Sequence, residues 1–139
     1  MLEALEITRI LKEYRTIAVV GLSPKESRPS NQVAAYLIAA GFHVIPVNPG
    51  QSEIFGLTCY PDLQAIPEPI EIVDIFRRAE EVGPIVEQAV KIGAKVIWMQ
   101  EGIVNEAAAA LARQAGLKVV MDRCLKVEHQ SFLGQMPKV

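Results

Sequence analysis

This sequence predicts an α/β fold, a doubly wound parallel sheet of about five strands in a single domain, on three observations. Short runs rich in Val and Ile recur along the chain, each closed by Gly, Pro or a polar turn. Segments with helical apolar spacing separate them, and glycines fall just past the ends of these segments. Strands alternating with helices form βαβ units, whose right-handed crossovers give a parallel sheet covered on both faces.

The elements follow in order. Leu2, Leu5, Ile7, Ile10 and Leu11 recur at helical spacing and predict a short amphipathic helix. Thr16 to Gly21 is a β-branched run closed by Gly, a strand buried on both faces. Ser23 to Ser30 is polar, holds Pro24 and Pro29, and reads as a loop. Asn31 to Ala40 is a helix with Val33, Leu37 and Ile38 on its apolar side, stopped by Gly41. His43 to Val47 is the second strand, and Asn48-Pro49-Gly50 signals a turn. Gln51 to Pro69 reads as irregular, with one short helix near Leu63. Glu71 to Phe76 is the third strand, and Pro84 to Ile92 a helix with Pro84 in its first turn. Lys95 to Met99 is the fourth strand. Asn105 caps an alanine-rich helix reaching Ala115, ended by Gly116. Leu117 to Met121 is the fifth strand, and the tail from Asp122 reads as a short segment followed by a looser end.

Composition narrows the function. The chain has 139 residues, 14 basic against 16 acidic side chains, and a net charge of −2. That length fits one domain, residues 1–139, with a core that needs no disulfide staples. The near-neutral balance offers no basic field for nucleic acid or an anionic membrane. Two cysteines, Cys59 and Cys124, and two histidines, His43 and His129, spell out no metal site. The charged N-terminus has no signal-peptide core. No apolar run approaches the roughly 18 residues that span a bilayer. A cytoplasmic protein with reduced thiols is expected.

Ligands of open α/β sheets bind beyond the carboxyl ends of the strands. The loop there after the first strand holds Gly21, the hydroxyls of Ser23 and Ser27, and the cations Lys25 and Arg28. It leads into a helix N-terminus, where free N–H groups and the helix dipole favour phosphate; a solvated turn is the alternative. The loop is not GxGxxG, and the second strand ends on Asn48 rather than the acidic residue that holds the ribose of NAD. Arg77 and Arg78 either reach a phosphate or form a solvated turn. Cys124, at a strand end, is either an inert thiol or one that meets a ligand thiol. Trp98 reads as core, Cys59 and His43 as structural, and His129 as either structural or functional. No GxSxG elbow, HExxH or P-loop is present, so catalysis is not spelled out.

The strings Val20-Gly21-Leu22-Ser23-Pro24, Arg28-Pro29-Ser30, Val44-Ile45-Pro46-Val47-Asn48-Pro49, Trp98-Met99-Gln100-Glu101-Gly102 and Asp122-Arg123-Cys124 together resemble the stand-alone CoA-binding domain proteins. These are similar to the N-terminal CoA-binding domain of the succinyl-CoA synthetase α subunit. The resemblance covers about residues 10–129. It implies a Rossmann-like fold binding coenzyme A, or an acyl-CoA, across the strand ends. Gly21, Ser23, Pro24 and Lys25 would hold the phosphates, with Arg28 or Arg77 supplying further charge. Asn48 and Pro49 would line the nucleotide end. Ile75, Phe76 and Arg77 would flank the ligand, and Met99, Gln100, Glu101 and Gly102 would approach the pantetheine. One departure stands out: the turn after the second strand reads Gly50-Gln51, where the synthetase commonly carries a Lys. The synthetase's catalytic histidine belongs to a further domain, so the resemblance implies binding without catalysis. Two alternatives stay open: a small NAD(P)- or CoA-ester-dependent enzyme, and the CoA-binding subunit of a split acyl-CoA synthetase with a protein partner.

Overall fold

The computed structural model describes residues 2–135; the side chain of Leu2 and the end beyond Gln135 lie outside the described residues. Five strands form one parallel sheet: β1 (Thr16–Val20), β2 (His43–Val47), β5 (Ile72–Ile75), β6 (Val96–Met99) and β7 (Lys118–Val120). Their order is β2-β1-β5-β6-β7. A two-stranded hairpin, β3 (Glu53–Ile54) and β4 (Leu57–Thr58), stands apart. The helices are α1 (Leu2–Glu13), α2 (Pro29–Ala39), α3 (Val82–Lys91), α4 (Glu106–Gln114) and α5 (Leu125–Gln135). The doubly wound, Rossmann-like architecture that the sequence predicts is the one observed.

Strand periodicity sorts the core into two layers. Ala18, Val20, Ile45, Val73, Ile75, Ile97 and Met99 point toward α3 and α4. Ile17, Val19, Val44, Ile72, Val96 and Trp98 point toward α1, α2 and α5. A strand buried on both faces reads as hydrophobic sequence, as Ile17 to Val20 of β1 and Val96 to Met99 of β6 do, whereas β5 carries one acid, Asp74. Ala108, Ala109 and Ala112 bury the inner face of α4; small side chains let the helix lie close to its neighbours.

Pro46 sits inside β2 without breaking it. The strand is at the sheet edge, and the Pro46 carbonyl turns outward to accept from the Tyr60 N–H. Its missing N–H therefore faces away from β1.

Five expectations are corrected. Helix α2 begins at Pro29, two residues before the predicted Asn31, because Pro suits the first turn and Arg28 takes the extended cap conformation. The stretch after Gln51 contains the β3–β4 hairpin as well as the short 3-10 turn at Leu63–Ala65. Its two-residue turn, Phe55-Gly56, has positive φ at both positions, the geometry usually announced by Asn-Gly or Asp-Gly. The tail after Asp122 is mostly helix α5, whose inner face repeats Leu125, His129 and Phe132 at i, i+4, i+7. Leu5 and Ile38 lie on exposed helix faces.

Candidate functional site

Chain direction reverses between β1 and β5: the crossover after β1 runs through α2 on one face, and the crossover after β5 runs through α3 on the other. A crevice opens there, at the carboxyl ends. It widens into a cleft of about 830 Å³. Gly21, Ser23, Lys25, Arg28 and Ser30 line it from the β1–α2 loop. Phe76, Arg77, Arg78 and Glu80 line it from the β5–α3 connection. Gln100, Glu101, Gly102, Ile103 and Cys124 close the far side.

The first loop is held by its own polar groups. The Ser23 N–H donates to Ser30 Oγ at 3.0 Å, and the Lys25 N–H donates to Ser23 Oγ at 3.1 Å. Asn31 Nδ2 donates to the Ser23 carbonyl at 2.9 Å. These bonds fold the loop back onto the N-terminus of α2. Gly21 has φ +86°, and a Cβ there would lie 2.6 Å from the Phe76 carbonyl oxygen. Only glycine allows the two loops to approach this closely.

Charge in the cleft is unevenly available. Arg78 Nη2 pairs with Glu81 Oε1 at 3.1 Å, and Arg77 Nε lies 3.9 Å from Glu81 Oε2. The hydrogen bond to Glu81, then the charges of Glu81 and Glu80, push the Arg78 pKa up. Lys25 and Arg28 form no ion pair among the described residues, so their charges are left for an anion.

The far wall is latched by four hydrogen bonds between neighbouring strand ends. Trp98 Nε1 donates to the Arg123 carbonyl at 2.8 Å, and the Leu125 N–H donates to Gln100 Oε1 at 3.1 Å. The Gly102 N–H donates to Asp122 Oδ1 at 2.7 Å, and the Arg123 N–H donates to the Met99 carbonyl at 3.3 Å. Asp122 adopts a positive φ of 60° to make this turn. The latch sets Cys124 on the cleft wall.

Of the residues singled out from sequence, Gly21, Ser23, Lys25, Arg28, Phe76, Arg77, Gln100, Glu101 and Gly102 come together in this cleft. Five lie elsewhere. Ile75 and Met99 are fully buried in the core beneath, because strand alternation turns them toward α3 and α4. Pro24 is exposed outside the lining. Asn48 is committed to the scaffold: Nδ2 donates to the Leu22 carbonyl at 2.9 Å, and Oδ1 accepts from the Gly50 N–H at 2.8 Å. Pro49 lines a separate cavity of about 130 Å³, which shares Arg77 with the main cleft. Ser27 does not line the cleft. Ser30, Glu80 and Ile103 do, and sequence reading missed them; the shift in the start of α2 hid Ser30.

The histidines stand apart. His43 begins β2 and pairs with Glu68 at 2.6 Å, at the opposite end of the strand. His129 is buried, with Nδ1 2.7 Å from the Tyr36 hydroxyl and its ring edge-on to Tyr36 and Phe42. Burial, then the charge of Arg15, lowers its pKa. Cys59 is buried, which pushes its thiol pKa up. No group of acidic, Cys and His side chains among the described residues is arranged to hold a metal. No helix among them is long and apolar enough to cross a membrane.

The fold and cleft define an α/β protein with a crevice at its switch point that is lined by Lys25, Arg28, Arg77 and Arg78. The chain belongs to the CoA binding domain family, which it matches over residues 15–130. It is 41% identical over 124 residues to the uncharacterized protein YneT of Bacillus subtilis, covering 89% of this chain and 92% of that one. A solved structure of a hypothetical protein from Pyrococcus horikoshii superposes with a TM-score of 0.92 at 44% identity, covering 94% of this chain and 92% of that one. The chain is 28% identical over 121 residues to an ADP-forming acetate–CoA ligase of Archaeoglobus fulgidus. That match takes in 80% of this chain and 18% of the ligase, so the chain is similar to one domain of the larger enzyme.

Proposed function

We propose that this protein binds coenzyme A, or an acyl-CoA, in the switch-point cleft and acts as a binding module without chemistry of its own. The observation that carries the reading is the pairing of two unengaged cations, Lys25 and Arg28, with the N-terminus of α2 in one cleft. Phosphates are the group such a site favours. Family membership supports coenzyme A among phosphate-bearing nucleotides. The residues fit that ligand in two ways: the cations offset phosphate charge, and Gly21 lets the β1 and β5 loops that frame the cleft approach closely. Gln100 to Ile103 and Cys124 would then run beside the pantetheine arm.

Calorimetric titration tests the reading. Coenzyme A should bind saturably with a dissociation constant in the micromolar range, roughly −8 kcal/mol, and NAD should not. Absence of coenzyme A binding would overturn it. Turnover of an acyl-CoA by the purified protein would replace the module with an enzyme. The match to one domain of a larger ligase favours a second reading, a CoA-presenting subunit. Gel filtration with the nucleotide-binding chain of an ADP-forming ligase tests it, and separate elution would count against it.

A further inference from the structure

Asp74 lies in the central strand β5 with no solvent exposure. Among the described residues, its two carboxyl oxygens are the buried side-chain polar atoms without a hydrogen-bond partner. A carboxylate in that state is far more costly than a neutral acid. Its cross-strand neighbours are Val19 of β1 and Trp98 of β6. It therefore faces the layer of α1, α2 and α5. Two residues further along the same strands come Gly21, Phe76 and Gln100, which line the cleft. Strands rise about 3.3 Å per residue, so the carboxyl sits one pleat, about 7 Å, beneath the floor of the anion site.

The groups of that layer that titrate or carry charge are Tyr14 and Arg15 after α1, Tyr36 on α2, Cys59 by the hairpin, Cys124 and His129 at α5, and at its edge Arg123 paired with Glu3 and Glu128, Lys118 over Tyr14, and Lys126 over Tyr36. β1 and β6 present apolar side chains to it at Val19 and Trp98. None of these groups hydrogen-bonds Asp74.

We propose that Asp74 is a proton-linked regulator of the cleft: its neutral acid form admits an anionic ligand overhead, and its ionisation at higher pH expels that ligand. The inference rests on reading the cleft as a coenzyme A site. Burial pushes the Asp74 pKa well above the usual carboxylate range. Ionisation would then set a negative charge beneath the phosphates, in a medium that screens poorly. Coupling is reciprocal: a bound anion raises the Asp74 pKa by the same factor that ionised Asp74 weakens binding. Each unit of displacement is a tenfold change in affinity.

The test follows the Asp74 carboxyl by carbon NMR with and without coenzyme A, using Asp74→Asn to assign the resonance. Calorimetry of both proteins with coenzyme A from pH 7 upward, over the range where each stays folded, accompanies it. The comparison cancels titration of Lys25, the cysteines and the ligand's own thiol. The expected result is an Asp74 pKa well above the ordinary carboxylate range that rises further on binding. Wild-type affinity should also fall at least tenfold more than that of Asp74→Asn as pH rises. Coenzyme A bound at pH 7 with an unmoved Asp74 pKa, or an Asp74 already ionised there, overturns this inference alone. No binding at pH 7 removes the coenzyme A reading and this inference with it. If Asp74→Asn fails to fold, Asp74→Val serves as the neutral comparison, and the wild-type resonance still decides.

Discussion

A Cβ placed on Gly21 would lie 2.6 Å from the carbonyl oxygen of Phe76. The ends of β1 and β5 are brought together at the point where the chain reverses its winding, and the absence of a side chain there permits the close approach. Gly21→Ala adds a steric conflict to a backbone with φ +86°. Strain of this kind costs about 1–3 kcal/mol, and the contact adds to it. Urea denaturation should show a loss of about 2–4 kcal/mol, and calorimetry at least tenfold weaker coenzyme A binding. Unchanged stability would mean that the loops separate freely.

Charge reversal at Lys25 or Arg28 should weaken coenzyme A binding about tenfold, or about 1.4 kcal/mol. The loss should shrink with added salt, because both side chains are exposed. Stability should move by less than about 0.5 kcal/mol. Calorimetry at two ionic strengths checks this; equal affinity for both variants and wild type would place the phosphates elsewhere.

Trp98 is fully buried and donates its indole N–H to the Arg123 carbonyl. Trp98→Phe removes that donor and leaves a void, with an expected loss of about 2–3 kcal/mol. Because the bond latches the turn bearing Cys124, thiol labelling of Cys124 should quicken in the variant. A labelling rate equal to wild type would show that the other three bonds suffice.

Asp74 makes stability depend on pH in a definite direction. Its folded pKa is raised, so its contribution is intact below the unfolded value of about 3.9 and is lost as pH climbs toward the folded value. Asp74→Asn should therefore melt above wild type at pH 7 to 8, with the difference narrowing toward pH 4. A variant less stable than wild type at pH 8 would show that the carboxyl has a partner.

His129 acts with the opposite dependence. Its folded pKa is lowered by burial first and by Arg15 second. Its contribution is present above the unfolded value of about 6.5 and is lost as pH falls from there through the lowered folded value. Wild type should lose thermal stability between pH 7 and 5 more steeply than His129→Gln does. Parallel curves would assign the acid sensitivity to other groups.

The sheet was legible because its strands are buried on both sides and are dominated by apolar residues, as in Ile17 to Val20. Helix ends were legible where an Asn or Gly carries a local backbone requirement, as at Asn105 and Gly116. The β3–β4 hairpin was not, because Phe55 takes a positive φ that its side chain does not advertise. Helix α5 was passed over although Leu125, His129 and Phe132 carry its period. Strand alternation places Ile75 and Met99 in the core and Phe76 and Gln100 at the cleft, a one-residue distinction set by how far each strand extends before its turn.

Local sequence by itself determined the five strands of the main sheet, most helices, the doubly wound class and the cationic loop after β1, because each depends on residues close together in the chain. Tertiary structure alone decided which side chains share the cleft. It spent Asn48 on bracing two loops, withdrew Arg78 into pairs with Glu80 and Glu81, and left Lys25 and Arg28 unengaged. It also set Asp74, an unremarkable acid in the sequence, beneath the cleft floor. Burial and long-range pairing are properties of the packed sheet, and packing brings together residues that no local pattern links.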